Sequence, residues 1–384
     1  MTQHVSSEVA LFEALEARSR NGAAGDVADL TDIEQRDRLG PAAFQAVAQR
    51  FGWKRQDSGW LRERVPRWTP GWVEHRHFEQ WMSLFEAAFG YRMATDLWRW
   101  KYRRNELPGM GAWRNGELVA FYGGMTREVL RFGGPPEPAM QIGDVMTRPD
   151  ERAVITRTGP FQLAASTYME RNGGHDLPSL LGYGFPTDKA LKVAQRLGLY
   201  EQIDQMMELA WEPDPTSESW LTQAVPVTQA HRGAVDRLWS SMKEHFKTSL
   251  VGERDWSYLT DRYGTHPVNH YELLLVRHRI THRAKGVIAV RDRGEGGGVE
   301  VMDLMGDPHD WPELVRTIRR WTARKGRHRA YMWVTESHVR LLESTQPRVA
   351  PLEALVPANI WTPAATVDEL KGRWWLTGGD TDFR

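Results

Sequence analysis

An approximate internal repeat limits the fold of this chain more than any other feature of its sequence. An aromatic-rich helix end followed by a proline occurs in LWRWKYRRNELPGMGAW, residues 97–113, and again in DWSYLTDRYGTHPVNHYELL, residues 255–274. In both segments a basic residue stands directly before a tyrosine, Tyr102 in the first and Tyr263 in the second. One such match would mean little, so the interpretation depends on a second match at the same spacing.

The second match lies in two probable strands that carry an aspartate. QIGDVMT, residues 141–147, has its counterpart in EVMDLMG, residues 300–306. The two tyrosines are 161 positions apart, and Asp144 and Asp303 are 159 positions apart. A helix and a strand follow in the same order in both halves. The repeat therefore predicts two similar domains, and a length of 384 residues fits two cores.

Hydrophobic periodicity predicts alternating helices and strands within the first repeat. FEQWMSLFEAAFG, which begins at Phe78 and ends at Gly90, has the spacing of an amphipathic helix. The turn signal Asn115-Gly116 then separates two probable strands. The elements expected after this hairpin are a strand in AMQIGDVMT, a helix over 161–171, a strand in PSLLGYGF and a helix over 188–197. The predicted fold class is α/β (α+β), with mixed central sheets flanked by helices.

Three segments are expected along the chain. Residues 1–66 are interpreted as a helical N-terminal segment, because apolar residues recur there at helical spacing. Residues 67–212 form the first domain and residues 213–384 the second. The amphipathic N-terminal helices suggest that the protein forms a homo-oligomer through them.

Composition excludes several classes of protein. The chain has 50 basic and 50 acidic residues, which does not favour a nucleic-acid partner. It has no cysteine, so disulfides, thiolate nucleophiles and cysteine metal sites are excluded, which fits the cytoplasm. No apolar stretch approaches the length of a membrane span and the N-terminus lacks a signal pattern, so no membrane partner is expected.

After residue 67 the order of elements resembles the GNAT acyltransferase family, in a tandem form with two copies in one chain. The resemblance rests on the strand QIGDVMTRP, a loop within DERAVITRTGPF, and the helix TDKALKVAQRLGL over residues 187–199. In that helix Thr187, Ala190, Gly198 and Leu199 fall in the family's register. The resemblance implies acetyl-CoA or another acyl-CoA as the cofactor.

The loop after this strand is the expected phosphate site. Unpaired backbone N–H groups at a glycine-bearing turn and at a helix N-terminus favour a pyrophosphate, and arginines add charge-assisted bonds. An ordinary solvated loop is the alternative interpretation. The resemblance assigns the cofactor to Val145, Met146, Thr147, Arg152, Arg157, Thr158, Gly159, Pro160, Phe161 and Thr187.

The sequence departs from the family pattern at the loop and at a catalytic position. AVIT lengthens the loop, and Pro160 stands where a second glycine is common. Ala194 occupies the position where many relatives carry a tyrosine that protonates the leaving thiolate. The candidates to replace that general acid are therefore Tyr183, Tyr200 and a group from the second domain, and solvent is the remaining alternative.

Asp144 is the candidate general base, because a carboxylate is unusual in an otherwise apolar strand and this strand lies beside the expected cofactor. Its repetition as Asp303 makes a structural role an equal alternative. The second copy lacks a glycine- and arginine-bearing loop, and Asp303, Asp307 and Asp310 would repel a pyrophosphate. The second domain is expected to bind no CoA and to form part of the wall of the acceptor site.

Two further patterns were weighed for ligands. Trp98, Trp100 and Tyr102 are candidates for a substrate-binding stacking platform, although core packing is the ordinary role of such residues. The histidine pairs in EHRHF, THPVNH and RHRITH do not lie on predicted helices, so no metal site is expected.

The sequence thus predicts a tandem acyl-CoA-dependent N-acyltransferase that transfers an acyl group directly to an amine of a small metabolite. An amino sugar is one acceptor class suggested by resemblance to tandem relatives. The alternatives are an aminoacyl-tRNA-dependent transferase and a non-catalytic binding or scaffold protein with the same fold.

Overall fold

The N-terminal segment contains a small sheet as well as helices. The computed structural model of the chain describes residues 14–19, 25, 27–35, 41–63, 66–152, 159–175, 177–216, 219–381 and 383. Residues 14–19 are helical, and the elements that follow are β1 (Val27–Ala28), α1 (Thr31–Glu34), α2 (Pro41–Arg50), β2 (Trp53–Gln56) and β3 (Gly59–Arg62). The strands form an antiparallel sheet in the order β1-β3-β2.

The expectation of a purely helical segment is therefore incomplete. Gly52 and Gly59 adopt φ values of 89° and 132°, which allow the chain to turn into and out of β2. Trp53 and Trp60 on the two paired strands are both buried, so the sheet covers part of the same core as α2. The oligomer contact expected through the N-terminal helices stays a prediction, and much of the first of these helices lies outside the described residues.

The first domain follows the predicted order of elements. Asn115 and Gly116, with φ values of 54° and 84°, form the predicted hairpin turn between its second and third strands. Pro160 begins the helix after the loop, where its missing N–H costs nothing. The elements are β4 (Thr69–Val73), α3 (Phe78–Phe89), α4 (Thr95–Tyr102), β5 (Gly109–Arg114), β6 (Glu117–Arg131), β7 (Pro136–Thr147), α5 (Pro160–Asn172), β8 (Leu181–Tyr183) and α6 (Asp188–Arg196).

The second domain repeats this arrangement around another seven-stranded sheet. Its helices are α7 (Arg232–His245), α8 (Trp256–Leu259), α9 (Gly294–Gly297), α10 (Trp311–Arg324) and α11 (Val367–Leu370). The strands of the remaining chain are β9 (Tyr200–Trp211), β10 (Thr222–Pro226), β11 (Leu250–Gly252), β12 (Glu272–His278), β13 (Ala284–Asp292), β14 (Val299–Met305), β15 (Ala330–Thr335), β16 (Arg348–Asn359) and β17 (Trp374–Trp375). The second sheet has the order β10-β12-β13-β14-β15-β9-β16.

The two halves exchange strands. β9, which the expected boundary at residue 212 assigns to the first domain, pairs with β15 and β16 in the second sheet. In return β11 pairs with β6, and β17 pairs with β11, so both extend the first sheet. The domains therefore share their sheets across the predicted boundary, although their element order is the predicted one.

In the first sheet β7 and β8 separate after a short parallel pairing. They pair only from Ala139 and Leu181 to Gln141 and Tyr183, and β7 continues six residues further. Its other edge remains paired with β6, where the register shifts between Phe121 and Gly123. The result is a V-shaped opening, bounded by the end of β7, by α5 and by the start of α6.

The corresponding strands of the second sheet also separate, but chain fills the space between them. β14 and β15 pair from Val299 to Val301 on the first strand. Beyond that point the segment 374–381 runs along β15, where Thr335 donates its backbone N–H to Leu376 and Thr377 bridges to Val334. Gly378 and Gly379 of this segment lie against Met302 of β14. This C-terminal wedge occupies the position that is open in the first domain.

Candidate functional site

Two adjoining cavities occupy the opening between β7 and β8. The inner cavity has a volume of about 400 Å³ and the outer cavity about 410 Å³. The inner cavity is lined by Phe85, Phe89, Tyr91, Tyr122, residues 142–145, Phe161, residues 183–187, Ala190, Leu191, Ala194, Tyr200, Pro357 and Phe383. The outer cavity is lined by Phe89, residues 145–147, Glu151, Arg152, residues 160–162, Thr187, Lys189, Ala190, Val193 and Leu197. Clefts of this size are typical of small-molecule sites.

A β-bulge lies where the two cavities meet. Asp144 and Val145 of β7 together face Tyr122 of β6, so the ladder is interrupted at this position. Asp144 has a φ of 52°, in the left-handed region that residues other than glycine seldom adopt. Such a conformation persists only when surrounding contacts hold it, and strained residues of this kind cluster at functional sites.

The Asp144 carboxylate is held by two residues from the end of α4. The hydroxyl of Tyr102 donates a hydrogen bond of 2.7 Å to Oδ2, and Nζ of Lys101 lies 2.5 Å from the same oxygen. Both charged side chains are nearly buried, with 3% and 9% of the Lys101 and Asp144 side chains exposed. The ion pair neutralises the aspartate and fastens the bulge to α4.

Tyr183 and Tyr200, the two residues named as candidate general acids, lie on the wall of the inner cavity. Burial raises the pKa of the Tyr183 phenol, and the nearby Asp380 carboxylate raises it further. Burial also raises the pKa of Tyr200. Both phenols therefore keep their protons at neutral pH and can act as hydrogen-bond donors.

Tyr122 is a residue of the site that the sequence interpretation missed. Its side chain is 1% exposed, and among the described residues its hydroxyl has no hydrogen-bond partner. Buried hydroxyls are nearly always satisfied, so an orphan on a cavity wall indicates a ligand or a water. Its position directly opposite the bulge depends on the strand register, which no local motif in the sequence reports.

Among the described lining residues, the positively charged ones belong to the outer cavity. Arg152 donates to the backbone oxygens of Thr147 and Ala88, and Lys189 is exposed in the first turn of α6. Glu151 also lines this cavity, but its buried carboxylate is paired with Arg67 and Arg114. The free charge at this end is therefore cationic, as a diphosphate requires.

Most of the predicted cofactor residues come together in the opening. Val145, Phe161 and Thr187 line both cavities, whereas Met146, Thr147, Arg152 and Pro160 line the outer one. Gly159 is the N-cap of α5, and Thr187 is the N-cap of α6, accepting a hydrogen bond from the backbone of Ala190. The predicted contacts at Arg157 and Thr158 fall on residues 153–158, which lie outside the described residues.

The predicted stacking platform does not border either cavity. Trp98 and Tyr102 are buried in an aromatic core with Trp81. The indole of Trp100 donates to the backbone oxygen of Asp261 and to the hydroxyl of Thr265 in the second domain. These side chains fill the core and the domain junction, and their role in acceptor binding stays a prediction.

In the second domain Asp303 has a fully buried set of partners. The guanidinium of Arg254 lies between two carboxylates, 3.1 Å from Oδ1 of Asp303 and 2.5 Å from Oδ2 of Asp380. The hydroxyl of Tyr263 donates a hydrogen bond to Asp303. Burial raises the pKa of Asp303, although the Arg254 guanidinium opposes this effect. Together with the C-terminal wedge, this network leaves no open cleft like that of the first domain in the described part of the second.

One group of potential metal ligands was not anticipated. Ligand atoms of His245, Asp307 and His309 lie within 4.8 Å of one another. The three residues border neither cavity, and they are distinct from the histidine pairs that the sequence interpretation weighed. They carry no part of the site described here.

The matched family is the acetyltransferase (GNAT) domain, whose model covers residues 72–156. This span runs from the end of β4 through β7 and thus includes one side of the opening. The match confirms the predicted resemblance to this acetyltransferase family over these residues. The sequence has no significant match among the curated proteins.

Solved structures share the fold at low identity. A probable N-acyltransferase from Enterococcus faecalis V583 is 14% identical, with a TM-score of 0.59 over 77% of this chain and 72% of that chain. A GCN5-related N-acetyltransferase from Anabaena variabilis ATCC 29413 is 10% identical, with a TM-score of 0.55 over 77% and 73% of the two chains. Saccharomyces cerevisiae N-myristoyltransferase with bound myristoyl-CoA is 8% identical, with a TM-score of 0.51 over 80% and 82%.

These likenesses confirm the α/β fold class, and the two seven-stranded sheets give looser support to the tandem arrangement. Within the described ranges no helix has both the length and the apolar character to cross a bilayer.

Proposed function

We propose that this chain, whose residues 72–156 match the acetyltransferase (GNAT) domain, is an acyl-CoA-dependent N-acyltransferase acting on an amine of a small molecule. The observation that carries the proposal is that β7 and β8 separate beside a strained bulge and leave a cleft between them. Among the described residues, cationic side chains line one end of this cleft. An amino sugar is one acceptor class within the proposal.

The free edge of β7 supports the proposed cofactor position. Beyond Gln141 the edge that faces the opening has no strand partner, so the amides of a pantetheine arm can pair with it as an added strand. Arg152, Lys189 and the N-terminus of α5 then lie at the outer end, where a diphosphate would bind. Arg157 and Thr158 remain part of the proposed phosphate loop.

Bound acyl-CoA would supply an activated acyl group. The C–S bond breaks as the amine nitrogen bonds to the carbonyl carbon, and CoA leaves as the thiolate. The amine gives up its proton to solvent and the thiolate takes one up, so the products are an amide and the free CoA thiol. Backbone N–H groups at the bulge, around Val145 and Met146, would stabilise charge on the carbonyl oxygen. Tyr122, Tyr183 and Tyr200 can each donate a proton or a hydrogen bond to the leaving sulfur, in place of the residue absent at Ala194.

Asp144 has a positioning role in this proposal rather than the role of the general base. Its carboxylate accepts a hydrogen bond from Tyr102 and pairs with Lys101, and these contacts hold it against the end of α4. The same contacts keep the bulge in its left-handed conformation. Removing them would displace the backbone donors at the junction of the two cavities.

A polar cavity of about 220 Å³ between the domains supports an amine as the acceptor. Tyr183 separates it from the inner cavity and lines both. Its wall carries the carboxylates of Glu128, Glu253, Asp255, Asp261 and Asp380 and the guanidinium groups of Arg104, Arg127 and Arg262. Burial together with Asp255 raises the pKa of Glu253. Because carboxylates outnumber guanidinium groups on this wall, it favours a positively charged group on the ligand.

Binding measurements test whether the first domain holds an acyl-CoA, as the proposal requires. Titration calorimetry with acetyl-CoA should detect binding, and Lys189→Glu should weaken it by about tenfold because the reversed charge faces the diphosphate. Lys192→Glu is the matched control, since Lys192 is exposed on the same helix and lies outside both cavities. Absence of binding to acetyl-CoA and to every longer acyl-CoA would overturn the proposal.

The scaffold alternative predicts acyl-CoA binding without turnover. It is tested by release of free CoA thiol in the presence of a panel of small amines and aminoglycosides. The tRNA-dependent alternative gains no support from the described residues, where the longest helices, α7 and α10, have 14 residues each.

A further inference from the structure

We propose that the inner cavity holds an acyl chain of roughly six to ten carbons, longer than acetyl, on the thioester that the first domain binds. This inference rests on the function proposed above and adds to it the class of acyl donor. It follows from the charge, the continuity and the size of the inner cavity.

The inner cavity offers no free charge to a ligand. Asp144 is the one charged residue among its lining residues in the described chain, and its carboxylate is paired with Lys101. Aromatic and aliphatic side chains form most of the wall. The outer cavity differs, because Arg152 and Lys189 line it. The opening therefore changes along its length from a cationic end, suited to phosphates, to an apolar end.

The two cavities are continuous, and the bulge lies at their junction. Five residues line both: Phe89, Val145, Phe161, Thr187 and Ala190. A thioester carbonyl placed at the bulge, with its pantetheine arm along the outer part of β7, directs its acyl group inward. Tyr122, Ile142 and Leu191 are among the residues that line the cavity there.

The volume of the inner cavity exceeds what an acetyl group can fill. An apolar protein cavity of roughly 150 Å³ accommodates benzene, which has six carbons. A cavity of about 400 Å³ therefore has room for a chain in the range proposed. Burying the methylenes of such a chain against an apolar wall is favourable, by roughly a fourfold gain in affinity for each group.

Small side chains on α6 keep the cavity open. Ala190 and Ala194 are four residues apart and so lie on the same face of the helix, towards the cavity. Ala194 is only 5% exposed, so a larger side chain at this position would enter the cavity rather than solvent. The space beside Tyr122 and Tyr200 depends on these two alanines.

A chain-length series on the unmodified protein tests the inference. Titration calorimetry with CoA and with acetyl-, butyryl-, hexanoyl-, octanoyl- and decanoyl-CoA should show affinity rising with chain length. Octanoyl-CoA should bind at least about tenfold more tightly than acetyl-CoA. Ala194→Tyr should bring the ratio of the two affinities close to about one, because the ring occupies the space of the chain. Gln195→Tyr is the control, since Gln195 is exposed on the same helix and lines neither cavity.

The outcomes separate this inference from the proposed function. Equal affinity of the unmodified protein for acetyl-CoA and octanoyl-CoA would overturn the inference, while acyl-CoA binding itself would still support an acyltransferase. Failure of all acyl-CoAs to bind would overturn both. The comparison among acyl-CoAs does not depend on the folding of any variant, and a thermal melt of Ala194→Tyr establishes whether its ratio can be used in addition.

Discussion

The hydroxyl of Tyr102 donates a hydrogen bond of 2.7 Å to the carboxylate of Asp144, and 161 positions later Tyr263 makes the same type of bond to Asp303. The two pairs are the residues at which the internal repeat was recognised. The repeat therefore preserves a contact between a helix end and a strand, not only a sequence pattern. In the first domain this contact lies beside an open cleft, and in the second it is buried under the C-terminal wedge.

Removing the first of these contacts should distort the opening. Asp144→Asn removes the counter-charge of Lys101 and should lower the free energy of unfolding by about 3 kcal/mol. Tyr102→Phe should cost about 1 kcal/mol. Both variants should weaken acyl-CoA binding, as measured by calorimetry beside denaturant unfolding.

Turnover then distinguishes a positioning aspartate from a general base. If Asp144 has a positioning role, Tyr102→Phe and Asp144→Asn should both lower kcat. In both variants the activity should still fall at acid pH as it does in the unmodified protein. Loss of that limb in Asp144→Asn alone would assign the base to Asp144 and contradict the role proposed here.

Tyr122→Phe should lower turnover by at least about tenfold without lowering stability. The hydroxyl has no partner among the described residues, so its removal breaks no contact there, whereas a bound thioester would lose a donor. Tyr168→Phe is a matched control, because that hydroxyl is also buried without a described partner, packs beside Tyr122, and lines neither cavity. Equal activity of both variants would remove Tyr122 from the mechanism.

Arg254→Met should lower the free energy of unfolding by about 3–5 kcal/mol. The substitution leaves the carboxylates of Asp303 and Asp380 buried side by side without the guanidinium between them. Urea unfolding at neutral pH measures the effect. The loss should shrink as the pH falls, because burial raises the pKa of Asp303 and its protonation relieves the repulsion. A loss independent of pH would point to packing alone.

Stability should fall as the pH drops from about 6.5 to about 4, in part because of His338. Burial, with a smaller contribution from Arg340, lowers the pKa of His338 from 6.5 to about 4. The unfolded chain then binds the proton that the folded chain excludes, so the stabilisation is complete above pH 6.5 and is lost towards pH 4. This group accounts for roughly 2–3 kcal/mol over that interval. In His338→Gln, thermal unfolding should show a flatter dependence on pH in the same window.

Local patterns predicted the elements of the first domain well. The hairpin at Asn115-Gly116, the helix after Gly159 and the helix that starts at Asp188 all depend on residues close in the chain, and the structure confirms them. The strand exchange could not be predicted in this way. β11 and β17 are two or three residues long, and they join the first sheet only because the second domain packs against it.

The same distinction separates the site residues that were found from those that were missed. Asp144 could be identified because a carboxylate interrupts an apolar strand. Tyr122 looks like an ordinary core residue of β6, and its role depends on the register that sets it against the bulge. Trp98 and Trp100 were weighed as a platform because aromatic density alone does not report which side chains the tertiary structure buries.

The C-terminal wedge keeps the cleft of the second domain permanently filled. A segment tethered by its own backbone is present at an effective concentration near the millimolar range or above, and no dilution of the protein lowers it. The wedge already bonds to β15 and packs against β14, so a metabolite would have to displace part of the fold to enter. In the proposed function, the cleft beside Asp144 is therefore the one of the two whose occupancy changes with the concentration of acyl-CoA in the cell.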